Sequence, residues 1–301
     1  MFTESHRHLA GAISPQTVWD MIRDTHRLDI ANSFNDVCEQ MLMKQTSNFN
    51  CFCTKFDILN KLEWHDRFLI KVARQVLLDI KKENIQHATL TVSLNKFIRS
   101  NLLVAEHVFN ILDSAALEIF NPGDINYLLS INYSWPIELQ SQMLDMLESI
   151  HNSVVGVDFV GDELAAQWNI YADRIKRYKT NKTIRAHVGE RPGTTNNIDK
   201  AFDIGITRIA HGIYANDEQQ KEATKRGIIF DMSLYSNIYT NAIPITLHPL
   251  CRMLDNGCQI TLGTDDPIQF RCTIRDEYML AEELGADATL LSHMSYNNRV
   301  K

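Results

Sequence analysis

A chain of 301 residues, 45% hydrophobic and 22% charged, has the composition of a folded domain with a sizeable core. Its formal charge of −7 argues against a nucleic-acid backbone as partner. No apolar run approaches the roughly 18 residues that a membrane-crossing helix needs, so no membrane partner is expected.

The first β-rich apolar run, residues 4–9, carries His6 and His8. Side chains at i and i+2 of a strand point to one face, so two imidazoles can be offered to one divalent metal. Residues 1–4 leave no room for a secretion signal before that strand. Six cysteines form no C-x-x-C pair, and the reading is reduced thiols in a cytoplasmic protein. The interval from 14 to 84 is too long for one helix. It reads as several inserted helices, among them 35–44, 56–62 and 66–83, placed to cover the mouth of a site. Phe49, Phe52 and Phe56 within it are read first as packing and only second as a lid.

Further strand-like runs follow at 88–94, 127–133, 154–159, 183–187, 208–211, 228–232 and 259–263, with amphipathic segments at 137–151, 164–179 and 217–226. Helices at 274–284 and 288–296 end the chain. Eight strands alternating with helices imply an α/β fold, a closed (β/α)8 TIM-type barrel with a helical insertion after strand 1. No linker or repeat interrupts it, so residues 1–301 read as one domain. Basic clusters at 174–182 and 221–226 read as solvated helix faces. His26, His65, His87, His107, His151, His248 and His293 read as surface or locally bonded.

In a parallel barrel the carboxyl ends of all strands meet at one face. His187 ends the fifth run and is followed by Val188, Gly189 and Glu190. His211 ends the sixth and is followed by Gly212; Asp265 and Asp266 follow the eighth. Three imidazoles and one carboxylate suit Zn2+, with other divalent transition metals able to use the same set. His6, His8, His187 and Asp265 are the expected ligands. His211 is expected to orient a metal-activated water and take its proton, with Glu190 opposite as an acid.

These residues carry a resemblance to the adenosine deaminase family that runs over nearly the whole chain. The stretch from His6 to Ile13 resembles its first strand, and that from Val157 to Glu163 its fourth. His187 to Glu190 is similar to the H-A-G-E motif, Ala210, His211 and Gly212 to G-H-G, and Thr264 to Pro267 to T-D-D-P. The resemblance implies a zinc-dependent (β/α)8 hydrolase that deaminates a 6-aminopurine. It implies that Glu190 protonates N1 while water attacks C6, that His211 assists proton transfer, and that ammonia leaves. Asp266 would then bond N7, and the Gly161 N–H would face N3. Ala10 departs from the pattern, since the family places there an acid that holds the ribose 5′-hydroxyl. Adenosine, an adenine nucleotide, adenine and an N6-substituted derivative all remain open as the small-molecule partner. Two other readings stay beside this one: a related metal-dependent barrel hydrolase of a cyclic amide or ester, and a non-catalytic nucleotide-binding scaffold.

Overall fold

The computed structural model describes residues 1–94, 102–147, 149–178 and 182–301. Eight strands occur: β1 Phe2–His8, β2 Ile85–Val92, β3 Ile125–Asn132, β4 Val154–Val160, β5 Thr183–Val188, β6 Arg208–His211, β7 Ile229–Met232 and β8 Gln259–Leu262. All pair in parallel and in sequence order, the arrangement of a (β/α)8 barrel. Each expected strand is present. β2 starts earlier than expected because polar Gln86 and His87 interrupt its apolar run.

The ring closes where β8 meets β1, and polar groups make the closure. Past β8, the Asp265 N–H donates to the His6 carbonyl at 2.8 Å and the His8 N–H donates to the Asp265 carbonyl at 2.8 Å. Below them the buried Glu4 carboxylate accepts from the Thr264 N–H (3.0 Å), the Thr264 hydroxyl (2.8 Å), the His6 N–H (3.3 Å) and Arg7 Nε (3.1 Å). Arg7 also reaches Glu83 with both terminal nitrogens at 3.0 Å. One acidic side chain thereby joins residues 260 positions apart.

Inside the barrel a buried charge ladder replaces the usual apolar filling. Arg185 on β5 donates to Asp158 on β4 at 2.6 Å and to the Ser5 carbonyl at 2.8 Å. Arg208 on β6 pairs with Asp231 on β7, and Arg185 approaches the same Asp231 at 3.5 Å. Removing one partner would strand a buried charge at a cost of about 3–5 kcal/mol.

Helices cover the outside. Asp66–Lys82 buries Phe68, Leu69, Val72, Val76 and Ile80 on one stripe. Leu102–Leu117 is a further helix that the pattern reading above does not include. The segment expected at 164–179 divides into a short turn, Glu163–Ala165, and the helix Trp168–Tyr178; residue 179 lies outside the described residues, as do Glu148 and part of the 174–182 basic cluster. The insertion after β1 holds Pro15–Asp24, Phe34–Met41, Phe49–Cys53 and Asp57–Asn60. At the opposite end of the barrel the tail closes the floor: Arg208 donates to the Asn298 carbonyl at 2.6 Å and Asn126 to that of Val300 at 3.0 Å.

Candidate active site

The carboxyl ends of β1, β5, β6 and β8 bring the predicted residues to one place. His6 and His8 approach each other through their Nε2 atoms at 3.2 Å. Asp265 Oδ1 lies 3.0 Å from His8 Nε2 and 3.3 Å from His6 Nε2. Neither contact is aligned as a hydrogen bond, and this buried oxygen is left without one. Ligands about 2.0–2.1 Å from a tetrahedral Zn2+ stand about 3.3 Å apart, so these three separations fit the edges of one coordination shell. His187 Nε2 is likewise buried without a hydrogen bond. Its ligand atom falls within 4.8 Å of those of His6, His8 and Asp158, whereas Asp265 groups with His6 and His211 and, separately, with His8 and Asp266. His6 and His8 link these sets. The donor set suits a divalent transition metal.

Both His211 (φ 65°) and Asp265 (φ 58°) adopt left-handed backbone, which costs a non-glycine residue about 1–2 kcal/mol. Buried partners hold them there. Ser236 Oγ donates to Asp265 Oδ2 at 2.7 Å, and Asn237 Nδ2 stands 3.1 Å from His211 Nδ1. Both come from the helix Leu234–Tyr239, whose first N–H groups, Leu234 and Tyr235, donate to the buried Glu277 carboxylate at 2.7 and 3.2 Å.

Glu190 follows β5 in a loop fastened by another buried acid. The Glu163 carboxylate accepts from the N–H groups of Gly189 (2.8 Å), Glu190 (3.0 Å) and Arg191 (3.3 Å). Burial, with the charges of Asp265 and Glu163, pushes the Glu190 carboxyl well above its ordinary range, the direction an acid role requires. Its Oε1 lies 3.9 Å from His211 Nε2, which is also 3.9 Å from Asp265 Oδ2. Burial lowers the His211 pKa to about 3. At His8 burial works downward, but the Asp266 and Asp265 carboxylates raise its pKa to about 9; a cation and a proton compete for that lone pair.

Asp266 and Gly161 face the same space. A cavity of about 270 Å3 is lined by Ala10, Gly161, Glu190, His211, Asp265 and Asp266, among others. Glycine is required at two of its edges. A Cβ on Gly11 would fall 1.8 Å from Asp266 Oδ1, and one on Gly161 (φ +89°) would fall 2.6 Å from Asn132 Nδ2. Phe49, Phe52 and Phe56 line the cavity as well as packing together, so the first reading, packing, holds and they face the site as well. They do both because Phe52 stacks on Phe270 at 5.0 Å, directly after the β8 acids.

Five residues at the site were not assigned from the sequence: Asp158, Glu163, Ser236, Asn237 and Glu277. Asp158 Oδ1 is 3.4 Å from His187 Nε2. It and Glu163 fall inside the stretch that resembles the family's fourth strand, which was the available signal.

The profile of the family described as adenosine deaminase matches residues 2–299. An adenosine deaminase of Shewanella denitrificans is 28% identical, with 97% of this chain and 91% of that protein covered. An amidohydrolase from Burkhoderia ambifaria, solved with bound Zn, has a TM-score of 0.87 at 19% identity, with 100% of this chain and 85% of that one covered. The Arabidopsis N6-mAMP deaminase has a TM-score of 0.85 at 23% identity, covering 100% of this chain and 93% of that one. Among the described residues, no helix is long and apolar enough to cross a membrane. With its barrel, its strand-end histidines and acids, and a family match over nearly its full length, this chain belongs to the adenosine deaminase family of hydrolases.

Proposed function

We propose that the protein hydrolytically removes the 6-amino group of an adenine-type purine, using a divalent metal held by His6, His8, His187 and Asp265, with zinc as the best fit. The observation that carries this reading is Glu190: a buried carboxyl, its pKa raised by burial, at 3.9 Å from His211 on the rim of the same cavity as Asp265 and Asp266. When bound, the metal supplies Lewis-acid activation of water at neutral pH. The remaining steps belong to side chains. Glu190 gives its proton to N1, which makes C6 electrophilic, and its carboxylate then takes the proton of the attacking water and passes it to the departing amine. His211 orients the attacking water between Glu190 and Asp265. Asp266, whose carboxyl is raised by burial and by Asp265, donates to N7, and the Gly161 N–H faces N3. The aromatic rings of Phe49, Phe52 and Phe56 exclude water from the ring faces.

Ala10 lines the cavity with a methyl group. It cannot accept a bond from a ribose 5′-hydroxyl, and a missing bond of this kind costs about 1–3 kcal/mol. This favours adenine derivatives with a different 5′ group, or none, over plain adenosine; the fold shared with a deaminase of N6-mAMP supports including N6-substituted nucleotides. The six free cysteines suit a reducing, cytoplasmic compartment. Neither a cyclic amide or ester hydrolase nor an inert nucleotide scaffold is favoured by any feature of the site.

The test is an ultraviolet screen of metal-replete enzyme against adenine, adenosine, AMP and their N6-substituted forms. At least one is expected to lose its 6-amino chromophore with release of one amine per purine. Turnover of none would overturn the assignment.

A further inference from the structure

The hydrogen bonds behind His211 have a fixed direction. A backbone N–H only donates, and that of Leu250 meets His248 Nδ1 at 3.3 Å. His248 Nδ1 therefore accepts, and the proton of the neutral ring sits on Nε2. Burial lowers the His248 pKa to about 4, so the neutral ring prevails near pH 7. His248 Nε2 faces the Asn237 amide at 3.3 Å. A donor at that point requires the amide oxygen opposite it, which fixes which way round Asn237 sits from polarity alone. The amide NH2 then turns to His211 Nδ1 at 3.1 Å and donates. Neutral His211 is left with its proton on Nε2, the nitrogen facing the cavity. Charging His211 would set an Nδ1–H against that NH2, so the same polarity opposes the imidazolium.

We propose that His248, acting through Asn237, is a positioning residue that fixes His211 as its Nε2–H tautomer, so that His211 meets the reacting oxygen as a hydrogen-bond donor. On this reading His211 does not take the water's proton, since its Nε2 has no free lone pair while the chain keeps this direction; that proton goes instead to the Glu190 carboxylate left after N1 is protonated. His187 Nδ1 is 3.2 Å from His211 Nε2. Without an ion His187 Nδ1 can accept from the His211 N–H; if His187 gives its Nε2 to a metal, its proton sits on Nδ1 and the two N–H groups face each other, so this pair must separate when an ion binds. Glu190, Asp265 and the substrate water remain as acceptors for the His211 N–H.

The kinetic consequence rests on the proposed deaminase reading; the tautomer does not. Zinc-loaded protein labelled with 15N at histidine is examined by long-range proton–nitrogen correlation, with the His211 signals assigned by their loss in His211→Asn. The unaltered protein is expected to show the Nε2–H pattern at His211. In His248→Phe the pattern is expected to split between tautomers, and kcat to fall about tenfold with KM unchanged. His248→Gln, whose amide still donates, is expected to restore the single pattern and most of kcat. An Nδ1–H pattern at His211 in the unaltered protein overturns the proposal, as does an unchanged pattern in His248→Phe. Should His248→Phe fail to fold, the unaltered spectrum and the glutamine variant decide. Failure to turn over any purine would remove the deaminase reading and leave the spectra to judge the tautomer.

Discussion

Two parts of the cavity wall are built on opposite principles. At the seam between β1 and β8, every element is held by polar contacts between distant residues: Glu4 with Thr264, Asp265 with the backbone of His6 and His8, and Ser236 with Asp265. The insertion after β1 is held by ring contacts. Phe52 meets Phe56 edge-on at 5.3 Å and stacks on Phe270, while the Arg191 guanidinium lies 4.8 Å over Phe49. Its backbone ties near the cavity include Met43 to Gln269 and Ser47 to Tyr239. Buried hydrogen bonds need partners at set distances and leave costly orphans when one is lost. Ring contacts are less directional and tolerate rearrangement. On the proposed function the reacting groups are therefore fixed at the seam, and the insertion can vary without disturbing them.

Substitutions on the two walls separate these roles. The largest effect is expected from Asp265→Ala, which removes a proposed metal donor while leaving the backbone bridge intact. Metal analysis after dialysis should find less than one ion per chain, and purine turnover should fall to background. Retention of a full equivalent would show that Asp265 is not a ligand. Glu190→Gln should keep its metal and its fold but lose about 10²–10⁴ in kcat, the usual share of a general acid. Unimpaired turnover would favour a reaction with no ring nitrogen to protonate.

At the seam itself, Glu4→Leu leaves the His6 N–H, the Thr264 N–H and the Thr264 hydroxyl without their acceptor. Urea unfolding should register a loss of about 3 kcal/mol, with a metal affinity that falls in step. A loss of stability without any change in affinity would separate ring closure from the site. The smallest effect is expected on the other wall. Phe52→Ala should raise KM about tenfold, from about 1.5 kcal/mol of lost apolar contact, with kcat nearly unchanged. A collapse of kcat instead would place the insertion among the elements that align the reaction, and the contrast between the two walls would fail.

The barrel was legible because parallel strands buried on both faces leave compact apolar runs, as in Leu128–Ile131 of β3 and its neighbours. Residues that end those runs stand out by type, which is why His187, His211 and Asp265 were found. Their supports are harder to see. Glu163 looks like any acid beside a turn until its carboxylate is found under three N–H groups of the Glu190 loop. His248 was set aside as locally bonded. Its significance depends on Asn237, eleven residues away, and on a backbone N–H whose direction no pattern of residue types reveals. The helix Leu102–Leu117 was passed over although its polar residues Glu106, His107, Asn110, Asp113 and Ser114 recur on one helical stripe.

The bridge from Asp265 to His6 and His8 has a consequence for biosynthesis. A growing polypeptide exposes its two leading imidazoles to the cell long before the last acid has been translated. During that interval they are a loose pair of donors, open to any passing ion. Only the arrival of β8 and Asp265 seals them, so an ion held by the proposed donor set is expected to be acquired after Asp265 is made, in the same event that joins β1 to β8.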